Sequence, residues 1–322
     1  MEMDFLPIFT KMIELFAIII IGFIANKCGI LKQSSKQVLT KIVLNITLPC
    51  TILSSVMNSE NLPTLDKIGY LLLVAFLTYV LYFIIAKLTT LTLRIKGERK
   101  GIIEFALIFS NVGFIGYPVT EAIFGPDALF YTCVFNMPFN VLCYSLGVAI
   151  IKSGMHSDEE KDSKNSEGKG RFIKYVKLFI TPSFIASVIA LGMAACATNG
   201  PHTIGNVTEM VGAMTTPAAL LIIGSTLADM PIKSTLTDVQ AYLVSIVSVI
   251  ITPLIAYFVF APMCNGDAML LGEAVVISGM PVATAGTMLC VDNGVDEKFM
   301  AQLTFITTVL SVVSIPLIAT VI

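Results

Sequence analysis

The chain has 322 residues, 56% of them hydrophobic and 13% charged, and its mean hydropathy is +0.86. A soluble domain carries roughly 25% charged residues, so this composition excludes an ordinary water-soluble fold. The formal net charge of −2 decides little, because the placement of charge matters more than its sum.

Apolar stretches of about 20 residues recur along nearly the whole length, the mark of a multi-span membrane protein. Ten spans are predicted, at approximately 5–27, 37–57, 67–89, 101–123, 127–151, 173–197, 205–229, 238–261, 267–290 and 297–321. The first five residues include Glu2 and Asp4, and the apolar run behind them is too long for a signal-peptide core, so span one is expected to be retained. Lys11 and Glu14 within it are spaced for a local ion pair. Span two carries Pro49, a fixed kink expected to serve a scaffold, with Lys41 nearby as a minor candidate for touching an anion.

Span four is interrupted. Glu104 is followed by Ser110, Asn111, Gly113, Gly116 and Pro118, inside an apolar stretch where a continuous helix wants neither Gly nor Pro. Span nine does the same: Glu273 is followed by Ser278, Gly279, Pro281, Thr284 and Gly286. A bilayer core has no water for freed backbone groups, so such breaks face protein or line a wet cavity. Paired breaks in two halves point to the binding site of a secondary transporter. Asn111 offers a donor and an acceptor at the first break; Thr284 and Thr287 offer hydroxyls at the second. If the breaks cross, Asn111 and Pro281 should lie close together. The alternative is a pair of kinked helices whose small residues serve close packing. In span five, Asn136 and Asn140 stand one turn apart and are expected to face the interior, for a ligand or for an interhelical hydrogen bond. Glu104 and Glu273 open the two broken helices; N-terminal capping is expected of both, with a coupling role as the alternative.

Between spans five and six, residues 153–172 are almost devoid of apolar side chains and read as a flexible linker. The segment from Arg171 to Lys177 alternates basic and apolar residues and reads as a leaflet anchor. With the N-terminus outside, 18 of the 20 basic residues fall in or beside inner loops, which predicts both termini outside and the linker in the cytoplasm. An offset of 168 carries Thr47 and Pro49 onto Thr215 and Pro217, and Ser110 onto Ser278. With five spans per half, the halves must insert in opposite senses. Seven cysteines show no metal spacing, and His156 and His202 form no ligand pattern, so neither a metal nor a cofactor is expected.

The run Ser110, Asn111, Val112, Gly113, Phe114, Ile115, Gly116, Tyr117 and Pro118, followed by Phe124 and Gly125, resembles the fourth-span motif of the auxin efflux carrier family. Met280, Pro281 and Thr284, with Thr304, Thr307 and Thr308, resemble its ninth and tenth spans. The resemblance implies ten helices in two inverted repeats, a scaffold of spans 1, 2, 6 and 7, and a moving domain of the other six in which spans four and nine cross. It implies a fold similar to bile-acid sodium symporters and sodium/proton antiporters, and an organic anion held near the crossover, with Asn111 and Asn136 at polar positions of the site. Bacterial relatives are described as malonate, malate or other carboxylate permeases. This chain departs from the plant members in its short linker and in a third span without an acid, where Tyr70 and Tyr79 are the main polar groups.

The resulting expectation is an all-α integral membrane protein of ten transmembrane helices in two inverted five-helix repeats, with broken crossing helices four and nine. Residues 1–152 form the first repeat, 153–172 the linker and 173–322 the second. The expected function is transport of a small mono- or dicarboxylate across a prokaryotic inner membrane by alternating access, not enzymatic chemistry. The substrate site is assigned to Ser110, Asn111, Val112, Gly113, Gly116, Tyr117, Pro118, Asn136, Asn140, Gly279, Met280, Pro281 and Thr284, and coupling to a proton or sodium to Glu104 and Glu273. The lipid bilayer is the expected surroundings and nucleic acid is not a partner. A homodimer enters through the resemblance alone. The rivals are a sodium-coupled symporter of a neutral or sterol-like solute and a membrane sensor that transports nothing.

Overall fold

A computed structural model describes residues 5–59, 62–153, 181–229, 238–264 and 266–322. The expected linker beyond Ser153, the segment from Arg171 to Lys177, the start of span six, His156 and Lys233 lie outside those residues. The regular elements among the described residues are all helices, and the one β-type contact is an isolated antiparallel bridge between Ser110 and Val282.

The first half runs α1 (Phe5–Lys27), α2 (Gln33–Ile42), α3 (Leu48–Met57), α4 (Leu65–Thr92), α5 (Glu98–Ile108), α6 (Tyr117–Phe124), α7 (Ala128–Leu142) and α8 (Val148–Lys152). The second runs α9 (Pro182–Ala195), α10 (His202–Gly212), α11 (Thr215–Asp229), α12 (Val239–Ile246), α13 (Thr252–Phe260), α14 (Ala268–Ser278), α15 (Ala285–Asn293) and α16 (Glu297–Ala319). Among the described residues, six stretches are long and apolar enough to cross a membrane: Leu6–Lys27, Gln33–Met57, Leu65–Thr92, His202–Asp229, Val239–Phe260 and Glu297–Ala319. A seventh forms if Ala128–Leu142 and Ser145–Lys152, bent by 44°, act as one span.

Proline explains several irregularities. A proline inside a helix lacks an N–H and crowds the carbonyl four residues back. Before Pro49, Pro118 and Pro253 the chain widens into a π turn, at Val43–Thr47, Val112–Gly116 and Val247–Ile251. In each, the amide just before the proline reaches five residues back: Leu48 to Val43, Tyr117 to Val112, Thr252 to Val247. The helix absorbs the proline by taking in an extra residue, and bends without stopping.

Two groups of helices pack closely. α1 lies along α11, and α3 against α9 and α10. The first contact is backbone to backbone: a Cβ on Gly224 would collide with the Ile19 carbonyl, and one on Gly22 with Leu221. Small residues permit such approach between membrane helices. Thr51 ties the kinked stretches together, with its hydroxyl 3.0 Å from the Gly212 carbonyl and 2.8 Å from Thr215 Oγ1. In the second group, α4 packs on α5 and α7, α13 on α14, and α12 on α16. Leu73, Phe76, Val80, Ile84 and Leu88 form an exposed apolar stripe along α4, the surface a lipid-facing helix presents.

Charges gather at the helix ends. At one end of the bundle Lys36 pairs with Asp229 at 2.6 Å and Arg99 with Asp238 at 2.8 Å. At the other, Lys67 pairs with Asp267 at 3.0 Å. Lys11 and Glu14 form the expected pair at 2.9 Å, both more than half exposed.

Candidate functional site

The two breaks meet. α5 ends at Ile108, and Phe109 turns extended against an aromatic cluster, 4.8 Å from Phe105, 6.0 Å from Phe139 and 6.4 Å from Tyr79 between ring centroids. The second break spans 279–284, between α14 and α15. The Asn111 amide donates to the Pro281 carbonyl at 2.7 Å, and the Ala283 amide to the Phe109 carbonyl at 2.9 Å. Val282 N–H is taken by Thr307 Oγ1 at 3.1 Å, from α16. Backbone groups freed by each break are thus satisfied by the other, the arrangement a non-helical segment needs away from water.

Several sequence expectations change in detail. Gly116, Tyr117 and Pro118 do not interrupt the helix. Pro118 follows directly on the π turn Val112–Gly116, which absorbs it, and the break proper is 109–111. Ser278 closes α14 and bonds Tyr82 Oη at 2.8 Å. Asn111 Oδ1 accepts from Phe114 N at 3.3 Å and so caps the turn Val112–Gly116. That uses its acceptor, while its Nδ2 makes no hydrogen bond among the described residues. Val112, Gly116, Tyr117, Gly279, Met280 and Pro281 are buried around the junction, while Gly113 and Thr284 are half-buried at its edge. Asn136 and Asn140 are both buried, but Asn140 Nδ2 turns back to the Asn136 carbonyl at 3.1 Å and reaches no other helix. Ser110 Oγ, Tyr117 Oη and Asn136 Oδ1 are buried without a hydrogen-bond partner.

The capping expected of Glu104 and Glu273 is not what these residues do. α5 begins at Glu98, and α14 is capped by Asp267, whose side chain accepts from Leu270 N at 3.1 Å. Both glutamates lie more than a turn inside their helices and are buried. Glu104 pairs with Lys87 Nζ at 2.6 Å and accepts from Thr90 Oγ1 at 3.2 Å. Glu273 accepts from Thr132 Oγ1 at 2.9 Å, and Thr132 is 2.6 Å from Thr120 Oγ1. Lys87, Thr90, Thr120, Thr132 and Tyr82 were not singled out from the sequence. Thr in an apolar helix carries no distinctive pattern, but Lys87 and Glu104 are nearly equidistant from the turn joining α4 to α5, which antiparallel pairing predicts to face each other.

Two cavities lie away from the junction. One of about 400 Å³ opens between α3, α10 and the ends of α6 and α7, lined by Thr51, Ser54, Asn58, Thr216 and the carboxylates of Glu121, Asp127 and Glu209, with no Lys or Arg. Thr216 Oγ1 there donates to Glu121 at 3.3 Å, joining α11 to α6. The other, of about 500 Å³, is lined by Lys87, Thr90, Arg94, Lys96 and Lys100. The break residues line neither. No cluster of His, Cys, Asp or Glu among the described residues is arranged to hold a metal ion.

Long apolar helices with a lipid-facing stripe, and broken segments joined through their backbones, define a multi-pass membrane protein. The family described as membrane transport protein matches residues 7–319, and the chain belongs to it. It is a transporter family, not an enzyme family. The chain is 24% identical over 319 residues to an uncharacterized transporter of Methanothermobacter thermautotrophicus, covering 98% of each chain. It is 24% identical over 303 residues to an uncharacterized transporter of Methanocaldococcus jannaschii, covering 93% of this chain and 94% of that one.

Proposed function

We propose that this transporter carries a small organic anion, a mono- or dicarboxylate such as malonate or malate, and that the junction of the two breaks is its binding site. The observation that carries this is the pairing of the breaks through Asn111–Pro281 and Phe109–Ala283, with unpartnered polar atoms of Ser110, Tyr117 and Asn136 buried nearby. The turn after Asn111 and the start of α15 each bring helix N-terminal amides to the junction, which favours negative charge without a fixed cation. Asn111 Nδ2 adds a donor.

The ten spans form two inverted five-helix repeats, with α5–α6 and α14–α15 as the crossing helices. α1, α2–α3, α9 and α10–α11 form the scaffold, and the other helices carry the junction past it by alternating access. The close packing of α1 on α11 and of α3 on α9 and α10 supports that division. The basic end of the bundle faces the cytoplasm.

Uptake of labelled malonate and malate into proteoliposomes tests this. Asn111→Ala removes donor and cap together, whereas Asn111→Asp keeps the cap acceptor and removes the donor. Both are expected to abolish flux, with the folded state retained in the Asp variant. Normal flux in either variant refutes the site. Flux of a neutral solute that strictly requires sodium, with none of any carboxylate, refutes the substrate class.

A further inference from the structure

We infer that Glu273 is the transporter's proton-carrying group and that one proton accompanies each carboxylate. This rests on the anion site proposed above and assigns its coupling ion. Of the two buried glutamates on the broken helices, Glu104 is neutralised by Lys87 at 2.6 Å. Glu273 is fully buried, receives a single hydrogen bond from Thr132, and its Oε2 has no partner.

No cation is supplied from the elements around it. α6 brings Tyr117, while its Glu121 is engaged with Thr216. α7 brings Cys133 and Tyr131 and has no charged side chain. α4 brings Tyr82, bonded to Ser278, and Lys67, which is held by Asp267 beside the Tyr131 ring. α13 has Tyr257 and no charge, and the charges of α16 are confined to its first turn, at Glu297 and Lys298. A carboxylate shut away from water with one donor is the least favourable place for a lone negative charge; the neutral acid fits there. An anion at the junction would add a second negative charge, so the proton must be present when the substrate is.

The threonines can follow the change. When Glu273 is ionised, the Thr132 hydroxyl donates a hydrogen bond to Oε1 at 2.9 Å and the Thr120 hydroxyl donates one to Thr132 at 2.6 Å. When Glu273 takes a proton from water on the open side and becomes the acid, the hydroxyls fall back on the carbonyls of Ala128 and Gly116, each 3.0 Å away. No covalent bond other than O–H forms or breaks. The proton leaves to water when the junction opens to the opposite face.

Infrared difference spectroscopy of the purified protein between mildly acidic and alkaline buffers reads the proton directly. A carboxylic-acid carbonyl band is expected in the wild type and in Glu104→Gln, and should be missing in Glu273→Gln. Thr132→Val, which keeps the carboxyl but removes the one donor to its ionised form, should keep the band and hold it to a higher pH than in the wild type. A wild type without the band, or a band that sodium removes at constant pH, overturns the assignment. In proteoliposomes, malonate should accumulate under an imposed pH gradient in the wild type; Glu273→Gln should still exchange malonate but not accumulate it. Accumulation by Glu273→Gln overturns the coupling. The band with no malonate or malate flux in any protein upholds the proton site and refutes the anion site alone.

Discussion

Replacing Lys87 with Met should destabilise the protein chiefly by leaving Glu104 alone. Glu104 is 1% exposed and its pair with Lys87 is 2.6 Å long, whereas the Lys87 side chain is 60% exposed. Removing one partner of a fully buried pair costs about 3–5 kcal/mol, because the other charge stays buried. Here one partner is bathed on its outer side and the Thr90 hydroxyl remains 3.2 Å from Glu104, so the expected loss is about 2 kcal/mol. Glu104→Gln added to Lys87→Met removes the stranded charge and should return stability to within about 1 kcal/mol of the wild type, a coupling that a double-mutant cycle isolates. Unfolding in mixed detergent micelles, followed by circular dichroism, gives the four free energies. Because the pair lies away from the junction, the double variant should also carry malonate. A single variant as stable as the wild type, or a double variant whose loss equals the sum of the singles, refutes the account of Glu104 as a structural ion-pair partner.

Gly224→Val should cost about 2 kcal/mol or prevent assembly, since its side chain would enter the Ile19 carbonyl. Gly192→Ala, with no atom within 4 Å of the new methyl, should change stability by less than about 1 kcal/mol in the same unfolding assay. Ser110→Cys with Val282→Cys should form a disulfide on oxidation, because a non-hydrogen-bonded antiparallel pair sits roughly 4.5 Å apart between Cα atoms. With the exposed Cys28 and Cys196 replaced by Ser, closing that disulfide should leave malonate flux where it stood in the reduced double variant, because the proposed mechanism keeps both breaks together. Glu121→Cys joined to Thr216→Cys by a short bis-thiol reagent should stop flux, because it ties α6 to α11; the opposite pattern would reverse which helices move.

The breaks were legible because Gly, Pro and Asn cluster where the composition is otherwise apolar, and local chemistry of that kind survives in a single sequence. Their boundaries were not. Pro118 looked like part of the first break, yet the helix runs through it, because the π turn ahead of it takes up the strain. Pro49 and Pro253 likewise follow two more widened turns, whereas the one at Cys143–Gly147 has no proline after it. Contacts between distant segments stayed hidden to different degrees. Lys87 and Glu104 are 17 residues apart across one turn, and antiparallel geometry alone could have matched them. Thr132 and Glu273 are 141 residues apart, and nothing local marks either as the other's partner.

The pairing of the breaks has a mechanical consequence. An extended segment in an apolar bundle is tolerated only while its amides and carbonyls are answered, and here each break answers the other. If the two separated, Asn111 N–H, Ala283 N–H and the carbonyls of Phe109 and Pro281 would be left bare together. The contacts between α1 or α11 and the junction-bearing helices are of another kind. They are mostly buried apolar side chains, Met12, Leu15, Ile19, Leu220 and Ile223 clustered with Ile115, Val119, Val276 and Met280, with the Thr216–Glu121 hydrogen bond at the margin of a polar cavity. Apolar contacts have no fixed direction and can be exchanged as surfaces slide, whereas the junction's backbone hydrogen bonds cannot. That contrast favours the proposed reading, in which the two breaks move as one unit.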